Sequence, residues 1–125
     1  MNIHQLIEIS NGKLLTTDVN LTREIKGGCG ADLMSDVLAS IQPEAALLTG
    51  LCNPQVVRTA MMADVAVIVI VRGKMPPQET VNLAIKENVP LISTPYGMFE
   101  LCGRLFQSGM TSLESPVSPE ECQSD

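Results

Sequence analysis

Apolar residues form short uninterrupted runs in the second half of the chain, and the clearest of these is Val65–Val71. All seven positions are apolar, and nearly all are β-branched. A strand that does not alternate apolar with polar residues must be covered on both faces, which is typical of a central strand in a parallel sheet. Two further runs, at 45–49 and 90–93, predict additional strands.

Helices are predicted after each of these strands, because prolines stand where a helix can begin without losing a hydrogen bond. Asn53-Pro54, Pro76-Pro77 and Thr94-Pro95 carry this signal. The predicted helices cover about 54–63, 77–88 and 95–108. The side chains of the last helix that we expect to face inward are Met98, Phe99, Cys102, Leu105 and Phe106.

The first third of the chain has a weaker pattern. It predicts a helix over 2–10 and a short strand over 13–16. Three glycines in four positions follow at 27–30, where we expect a tight turn or a backbone nest for an anion. Asp32 is placed to cap a helix over 33–40. The residues of that helix expected to face inward are Leu33, Val37 and Leu38.

This alternation of strands and helices predicts an α/β fold around a mostly parallel sheet. The 125 residues suit one domain, which we expect to span 1–109. Residues 110–125 are rich in serine and proline and hold four acidic residues but no lysine or arginine. We expect this acidic tail to be extended or mobile, or to lie on a neighbouring subunit.

Composition excludes several classes of protein. A net charge of −6 with 2% aromatic residues argues against nucleic-acid binding. No apolar run approaches the ~20 residues of a membrane span, and the first residues do not resemble a signal peptide. We therefore expect a cytoplasmic protein with reduced cysteines. With one histidine and no Cys-x-x-Cys pair, neither a metal site nor a cofactor is expected.

The surface is expected to be less polar than that of an ordinary monomer. Charged residues make up 18% of the chain, below the roughly 25% that is usual, and the mean hydropathy is +0.20. This composition predicts a subunit interface and hence a homo-oligomer.

Parallel strands end at one common edge of the sheet, which is where open α/β sheets bind ligands. The helices that follow point their N-termini to that edge, and their unpaired N–H groups favour an anion. In the alternative interpretation, the polar residues there only cap helices and the cations only face solvent. The residues expected to line this site are Thr49, Gly50, Asn53, Arg72, Gly73, Lys74, Ser93 and Thr94.

Gly27, Gly28 and Asp32 are further candidate ligand-binding residues. The glycine stretch fits neither a P-loop nor a dinucleotide fingerprint. Asp32 and Asp36 are four residues apart, so on the predicted helix they share a face, where paired carboxylates can bind Mg²⁺ or transfer protons. The alternative is that one caps the helix and the other is solvated. Cys29 has no evident base beside it, and no catalytic residue is expected.

Several segments resemble the DRTGG domain family over about residues 5–107. The more specific ones are Gly28–Asp36, which has the pattern Gly-x-x-x-Asp-Leu-Met-Ser-Asp, and the stretch from Ser93-Thr94-Pro95 to Gly103-Arg104-Leu105. The stretch nearest to the namesake pentapeptide, Arg23–Gly28, lacks the aspartate before the arginine. The resemblance implies a three-layer α/β fold like the N-terminal domain of HPr kinase/phosphorylase, a regulatory or ligand-sensing role and a tendency to oligomerise. It supplies no catalytic residues.

Three functions stay open at this point. The first is a non-catalytic regulatory module that binds a small anionic metabolite or a nucleotide at the carboxyl edge of the sheet. The second is a protein–protein adaptor without a small ligand. The third is a small transferase that uses Asp32, Asp36 or Arg72.

Overall fold

The computed structural model describes residues 1–116 and Pro119, and within them five strands form one sheet. They lie in the order β1-β5-β4-β3-β2; strands β2 to β5 run parallel, and β1 is antiparallel to β5. The predicted α/β fold with a mostly parallel sheet is therefore confirmed. The strands are β1 (Lys13–Leu14), β2 (Gly27–Gly30), β3 (Ala45–Thr49), β4 (Val67–Ile70) and β5 (Leu91–Ser93).

Five helices in the described residues cover the two faces of this sheet. Side chains alternate across a strand, so Leu47 and Ile68 pack on the face of α2, α3 and α4, whereas Leu48 and Val69 pack on the face of α1 and α5. The result is three layers. None of these helices is long and apolar enough to cross a lipid bilayer. They are α1 (Ile3–Ser10), α2 (Met34–Ser40), α3 (Pro54–Met62), α4 (Gln78–Lys86) and α5 (Met98–Gln107).

The connections between strands explain which helix lies on which face. Strands β2 to β5 are successive neighbours, and right-handed crossovers in one direction place α2, α3 and α4 together on one face. The chain changes face only after β5, where α5 packs beside α1. The loops that follow β4 and β5 therefore leave the same edge of the sheet toward opposite faces.

The two central strands hold this edge in place. Every residue of β3 and β4 is buried, as is the whole run Val65–Val71 that predicts a central strand. Burying one such aliphatic side chain contributes about 1.5–3 kcal/mol, so the ends of β3 and β4 are firm supports for the loops after them.

The glycine stretch is a strand, and the predicted tight turn is wrong. Gly27–Gly30 forms β2, one of the two edge strands of the sheet. Its free side, called the outer edge below, is covered by the chain that follows α5. The N–H of Gly28 donates to the carbonyl of Thr111 (2.9 Å), and the N–H of Leu113 donates to the carbonyl of Gly28 (2.9 Å). A methyl group on Gly27 would lie 2.8 Å from the Leu113 Cβ, so the missing side chains allow this close packing.

Residues 110–115 pack against the chain's own sheet and neither extend away nor require a neighbouring subunit. The N–H of Gln42 donates to the carbonyl of Leu113 (2.9 Å), and the N–H of Ser115 donates to the carbonyl of Ser40 (2.7 Å). The segment thus runs between β2 and the end of α2. The other acidic residues of the expected tail, outside the described residues, are Glu120, Glu121 and Asp125.

Two helices differ from their predicted form. Helix α5 begins at Met98, three residues after the predicted Pro95, because the chain first crosses to the other face of the sheet. After this crossing, the side of α5 that packs on the sheet is the one formed by Leu101 and Leu105, which are buried. The residues predicted to face inward that are instead exposed are Phe99 and Phe106 in α5, Leu38 in α2, and Leu33 just before α2.

Candidate functional site

Asp32 joins the turn before α2 to the end of β3. Its Oδ1 accepts hydrogen bonds from the N–H of Gly50 (2.7 Å) and from the hydroxyl of Thr49 (3.1 Å). Thr49 is fully buried, whereas Asp32 is exposed. The prediction that Asp32 caps α2 is wrong, because its carboxylate is bound to the neighbouring loop and Leu33 holds the cap position.

Two cationic side chains from the loop after β4 lie beside Gly50, the residue that Asp32 contacts. The Lys74 ammonium donates to the carbonyl of Gly50 (2.8 Å). A methyl group on Gly50 would lie 2.8 Å from Nη1 of Arg72, so the guanidinium also lies close to this glycine. The group formed by Asp32, Thr49, Gly50, Arg72 and Lys74 is called the carboxyl-edge cluster below.

The cluster holds Asp32 in its ionised form. The hydrogen bond from the Gly50 N–H is the main cause that lowers the pKa of Asp32, and the Thr49 hydroxyl and the charges of Arg72 and Lys74 add to it. One carboxylate therefore faces two cations, and the cluster carries a net positive charge in a protein whose overall charge is −6.

The loop after β4 passes through the left-handed region at two consecutive residues, Arg72 and Gly73. Arg72 and Gly73 have φ angles of 65° and 67°, in the left-handed region. Arg72 is not a glycine, so this conformation is strained and must be held by its surroundings. Its N–H donates to the carbonyl of Tyr96 (2.7 Å), and the Gly73 N–H donates to that of Thr94 (2.8 Å). The hydroxyl of Ser93 donates to the carbonyl of Lys74 (2.9 Å) and fixes the far side of the loop.

The remaining candidate residues are not in the cluster. Thr94 is buried, and its hydroxyl donates to the carbonyl of Ser10 in α1 (2.5 Å), so it joins the loop after β5 to α1. Asn53 is exposed at the start of α3. Gly27 and Gly28 lie in β2, where they contact the segment 110–115.

The expected pair of carboxylates does not form. Asp32 precedes α2, which begins at Met34, so Asp32 and Asp36 do not share a helical face. Asp36 instead lines a shallow cavity of about 480 Å³ together with Ser40 and Glu114. Among the described residues, no group of three or more His, Cys, Asp or Glu is placed to hold a metal ion.

Comparison with known proteins decides the family. The family model of the DRTGG domain matches residues 5–108, which is most of the chain. The chain belongs to the DRTGG domain family. The resemblance predicted from the sequence is thereby confirmed. No curated protein matches the chain.

A solved structure with a similar fold is that of the CBS and DRTGG domains of the regulatory region of Clostridium perfringens pyrophosphatase, complexed with activator, diadenosine tetraphosphate. It matches with a TM-score of 0.72 at 16% sequence identity. The match covers 94% of this chain and 51% of that one, so this DRTGG domain spans about half of its length. At this identity the similarity establishes the fold.

Helices α3, α4 and α5 of this DRTGG domain all begin at the carboxyl edge, as predicted, but α5 lies on the opposite face from the other two. In the described chain, no side chain at the cap positions Asn53, Pro77 or Gly97 bonds to the helix that follows. At the start of α3, Pro54 has no N–H and the N–H of Val56 donates to the carbonyl of Asn53 (3.1 Å). At the start of α4, the N–H of Thr80 donates to the carbonyl of Pro77 (3.0 Å), so few N–H groups at these two helix starts stay open to other acceptors. Two of the helices, α3 and α4, follow the strands that carry the carboxyl-edge cluster.

Cys29 occupies a position that sequence reasoning placed in a loop. It is buried in β2, and its thiol donates to Oε2 of Glu114 (3.0 Å). Burial raises the pKa of Cys29 to about 12, and the hydrogen bond to the Glu114 carboxylate adds to this shift. Cys29 is therefore a neutral thiol at pH 7 and a poor nucleophile. No sequence signal links Cys29 to Glu114, because the two are 85 residues apart.

Proposed function

We propose that this DRTGG domain is a non-catalytic regulatory module that binds a small anionic metabolite or a nucleotide at the carboxyl edge of its sheet. The observation that carries the proposal is the carboxyl-edge cluster, in which Arg72 and Lys74 converge on Gly50 against the single carboxylate of Asp32. Phosphate oxygens are suitable partners for two adjacent cations.

The strain at Arg72 supports a binding role. A non-glycine residue at a φ of 65° costs free energy, and such strain clusters at functional sites. Of the six non-glycine residues with a positive φ in the described chain, Arg72 is the one that belongs to the carboxyl-edge cluster. Here it is held by two backbone hydrogen bonds to the loop after β5. The backbone that carries the Arg72 side chain is therefore fixed, while its exposed guanidinium is free to turn toward an anion.

The solved relative supports a nucleotide as the ligand. That regulatory region, which contains a DRTGG domain, is complexed with diadenosine tetraphosphate, a dinucleotide with a chain of phosphates. The relative shares 16% identity and is about twice as long, so the ligand class enters here as part of the proposal.

The side chains that an enzyme would need argue for a non-catalytic role. A carboxylate whose pKa is lowered by hydrogen bonds to Gly50 and Thr49 is a weak base, which disfavours Asp32 as a proton acceptor. Asp36 faces a different cavity, and Cys29 is held as a neutral thiol. The described residues therefore offer a transferase no activated base or nucleophile at the carboxyl edge.

The proposal includes a cytoplasmic location and self-association. The cysteines that the structure describes, Cys29, Cys52 and Cys102, are unpaired, which suits a reducing compartment. Exposed apolar side chains such as Phe99 and Phe106 suit a protein that associates with itself.

A thermal-shift measurement with ATP, diadenosine tetraphosphate and pyrophosphate tests the ligand proposal. At a concentration near 100 times the Kd, a bound ligand adds about 2.7 kcal/mol to the free energy of unfolding and raises the Tm by several degrees. The double variant Arg72→Ala/Lys74→Ala is expected to fold, since both residues are exposed, and to lose this shift.

The matched control is Arg58→Ala/Lys86→Ala, which removes the same charge from exposed positions on α3 and α4. It is expected to keep the full shift. If both double variants lose the shift equally, binding depends on overall charge, and if neither loses it, the ligand lies elsewhere; either outcome contradicts the proposed site. A wild-type Tm that none of the three compounds moves contradicts the proposal of a nucleotide ligand.

A further inference from the structure

The carboxylate of Asp32 is fixed through only one of its two oxygens. Oδ1 accepts hydrogen bonds from the N–H of Gly50 and the hydroxyl of Thr49, whereas Oδ2 accepts none within the described part of the chain. The backbone beside it is fixed too, because the N–H of Ala31 donates to the carbonyl of Leu48 in β3 (3.0 Å). An ionised carboxylate accepts hydrogen bonds and cannot donate them. The spare oxygen can therefore recognise only a hydrogen-bond donor.

The two cations of the carboxyl-edge cluster are close to this carboxylate without being paired to it. A methyl group on Gly50 would lie 2.8 Å from Nη1 of Arg72, 3.5 Å from Nζ of Lys74 and 3.6 Å from Oδ1 of Asp32, so all three charged groups surround one point. Among the described residues, neither cation forms an ion pair with Asp32 or with any other carboxylate. The cluster therefore offers two cationic donors and one anionic acceptor within reach of a single small ligand.

This combination distinguishes between kinds of phosphate compound. The oxygens of an ionised inorganic polyphosphate only accept hydrogen bonds, so Arg72 and Lys74 attract it while Asp32 repels it. A phosphorylated sugar also carries hydroxyl groups, and one of them can donate to Oδ2 of Asp32 while the phosphate binds the cations. Specificity arises from a repulsive contact with the wrong ligand as well as from an attractive one with the right ligand.

We infer that Asp32 determines specificity at this edge, and that it selects a phosphorylated sugar, such as the ribose phosphate of a nucleotide, over an inorganic polyphosphate. It does so by accepting a hydrogen bond from a sugar hydroxyl at Oδ2. The inference rests on the ligand site proposed above and narrows the class of ligand that this site takes.

A comparison of three compounds tests this inference on the wild-type chain. Calorimetric titration near pH 8, without divalent cations, gives the Kd of ATP, of 2′,3′-dideoxy-ATP and of inorganic tripolyphosphate. ATP and its dideoxy analogue carry the same charge and differ in the ribose hydroxyls. Loss of a hydrogen bond to a charged group is expected to raise the Kd of the analogue by about tenfold. Tripolyphosphate is expected to bind more weakly than ATP by at least about the same factor.

The variant Asp32→Asn tests the residue itself. Its carbonyl oxygen can still accept from the N–H of Gly50, and the position is exposed, so we expect the variant to fold. The amide replaces the anionic acceptor by a neutral N–H donor. The preference for ATP over tripolyphosphate is expected to fall by about tenfold, mainly because tripolyphosphate binds more tightly. The dideoxy analogue is then expected to bind within about twofold of ATP.

Asp36→Asn is the matched control, because it makes the same change of charge at an exposed position that lines a different cavity. It is expected to leave the preference unchanged, and an effect equal to that of Asp32→Asn overturns the inference. So does a wild-type chain that binds ATP and dideoxy-ATP equally, although the anion site then stands. If Asp32→Asn strengthens ATP and tripolyphosphate by the same factor, Asp32 is only a repulsive charge and the inference fails. A chain that binds none of the three compounds contradicts the proposed ligand site as well.

Discussion

Gly50 at the carboxyl edge and Gly27 at the outer edge of the sheet both have a neighbouring atom where a side chain would start, but the neighbour is of a different kind at each. An added methyl group would meet another atom at 2.8 Å in both places. At Gly50 that atom is Nη1 of Arg72, the end of a flexible side chain. At Gly27 the atoms are the Cβ of Leu113 and the carbonyl oxygen of Thr111, which belong to or adjoin the backbone of the covering segment. One glycine leaves room for charged groups that can move, and the other leaves room for a packed chain that cannot.

The two edges also differ in the state of their ionisable groups. The carboxyl edge holds Asp32 as an anion whose pKa is lowered, first by the Gly50 N–H. Its contribution to stability is present above the pKa of the unfolded carboxyl and is lost as the pH falls through the lowered value. The outer edge holds Cys29 as a neutral thiol with a raised pKa, so its contribution is lost as the pH rises. A charged edge suits ligand binding, and a neutral sealed edge suits structural support.

The largest expected effect is that of Gly27→Ala. Its methyl group forces the covering segment away from β2, and we expect the free energy of unfolding in urea to fall by about 2 kcal/mol, as in an overpacked core. Gly30→Ala is the control in the same strand, because its methyl group would meet the flexible Met98 sulfur at 3.2 Å, and we expect a change within about 0.5 kcal/mol. Equal effects of the two variants would show that the covering segment does not constrain this strand.

The next effect is the alkaline sensitivity of the outer edge. The unfolded thiol ionises near 9.0, whereas buried Cys29 ionises near 12, so between these values each pH unit lowers stability by about 1.4 kcal/mol. Between pH 8 and pH 10, the wild-type chain should therefore lose about 1.4 kcal/mol more than Cys29→Ala does. Urea unfolding at the two pH values measures the difference. Parallel losses in the two proteins would mean that Cys29 titrates normally.

The smallest effect on stability is expected for Gly50→Ala. Its methyl group displaces the Arg72 guanidinium, which is exposed and can move, so the free energy of unfolding should change by no more than about 0.5 kcal/mol. The displacement should still weaken ATP binding by roughly threefold to tenfold, as expected for one misplaced exposed cation. Calorimetric titration measures the Kd. A loss of stability as large as that of Gly27→Ala would remove the distinction between the two edges.

The local pattern predicted the parts of the fold that depend on nearby residues. The β-branched run Val65–Val71 predicted a central strand, and Arg72 and Lys74, which follow it directly, were therefore expected at the edge of the sheet. The parallel arrangement then brought these cations to the end of β3, where Thr49 and Gly50 were expected. This part of the candidate site followed from the order of strands and helices.

The features that depend on contacts between distant parts of the chain were decided only by the tertiary structure. Gly27–Gly30 has the composition of a turn, and it is a strand because the segment 110–115, more than 80 residues later, covers it. Asp32 has the sequence position of a helix cap, but its carboxylate accepts a hydrogen bond from the N–H of Gly50, which lies 18 residues later in the chain. Only the packing of α2 beside the end of β3 brings these two residues together. Helix α5 has apolar residues around much of its circumference, and only one side of it can be buried. Because the chain crosses to the other face of the sheet before α5, Leu101 and Leu105 are buried, and Phe99 and Phe106 are exposed. Spacing along a chain specifies which residues share a face, but which partner meets that face depends on how distant elements pack.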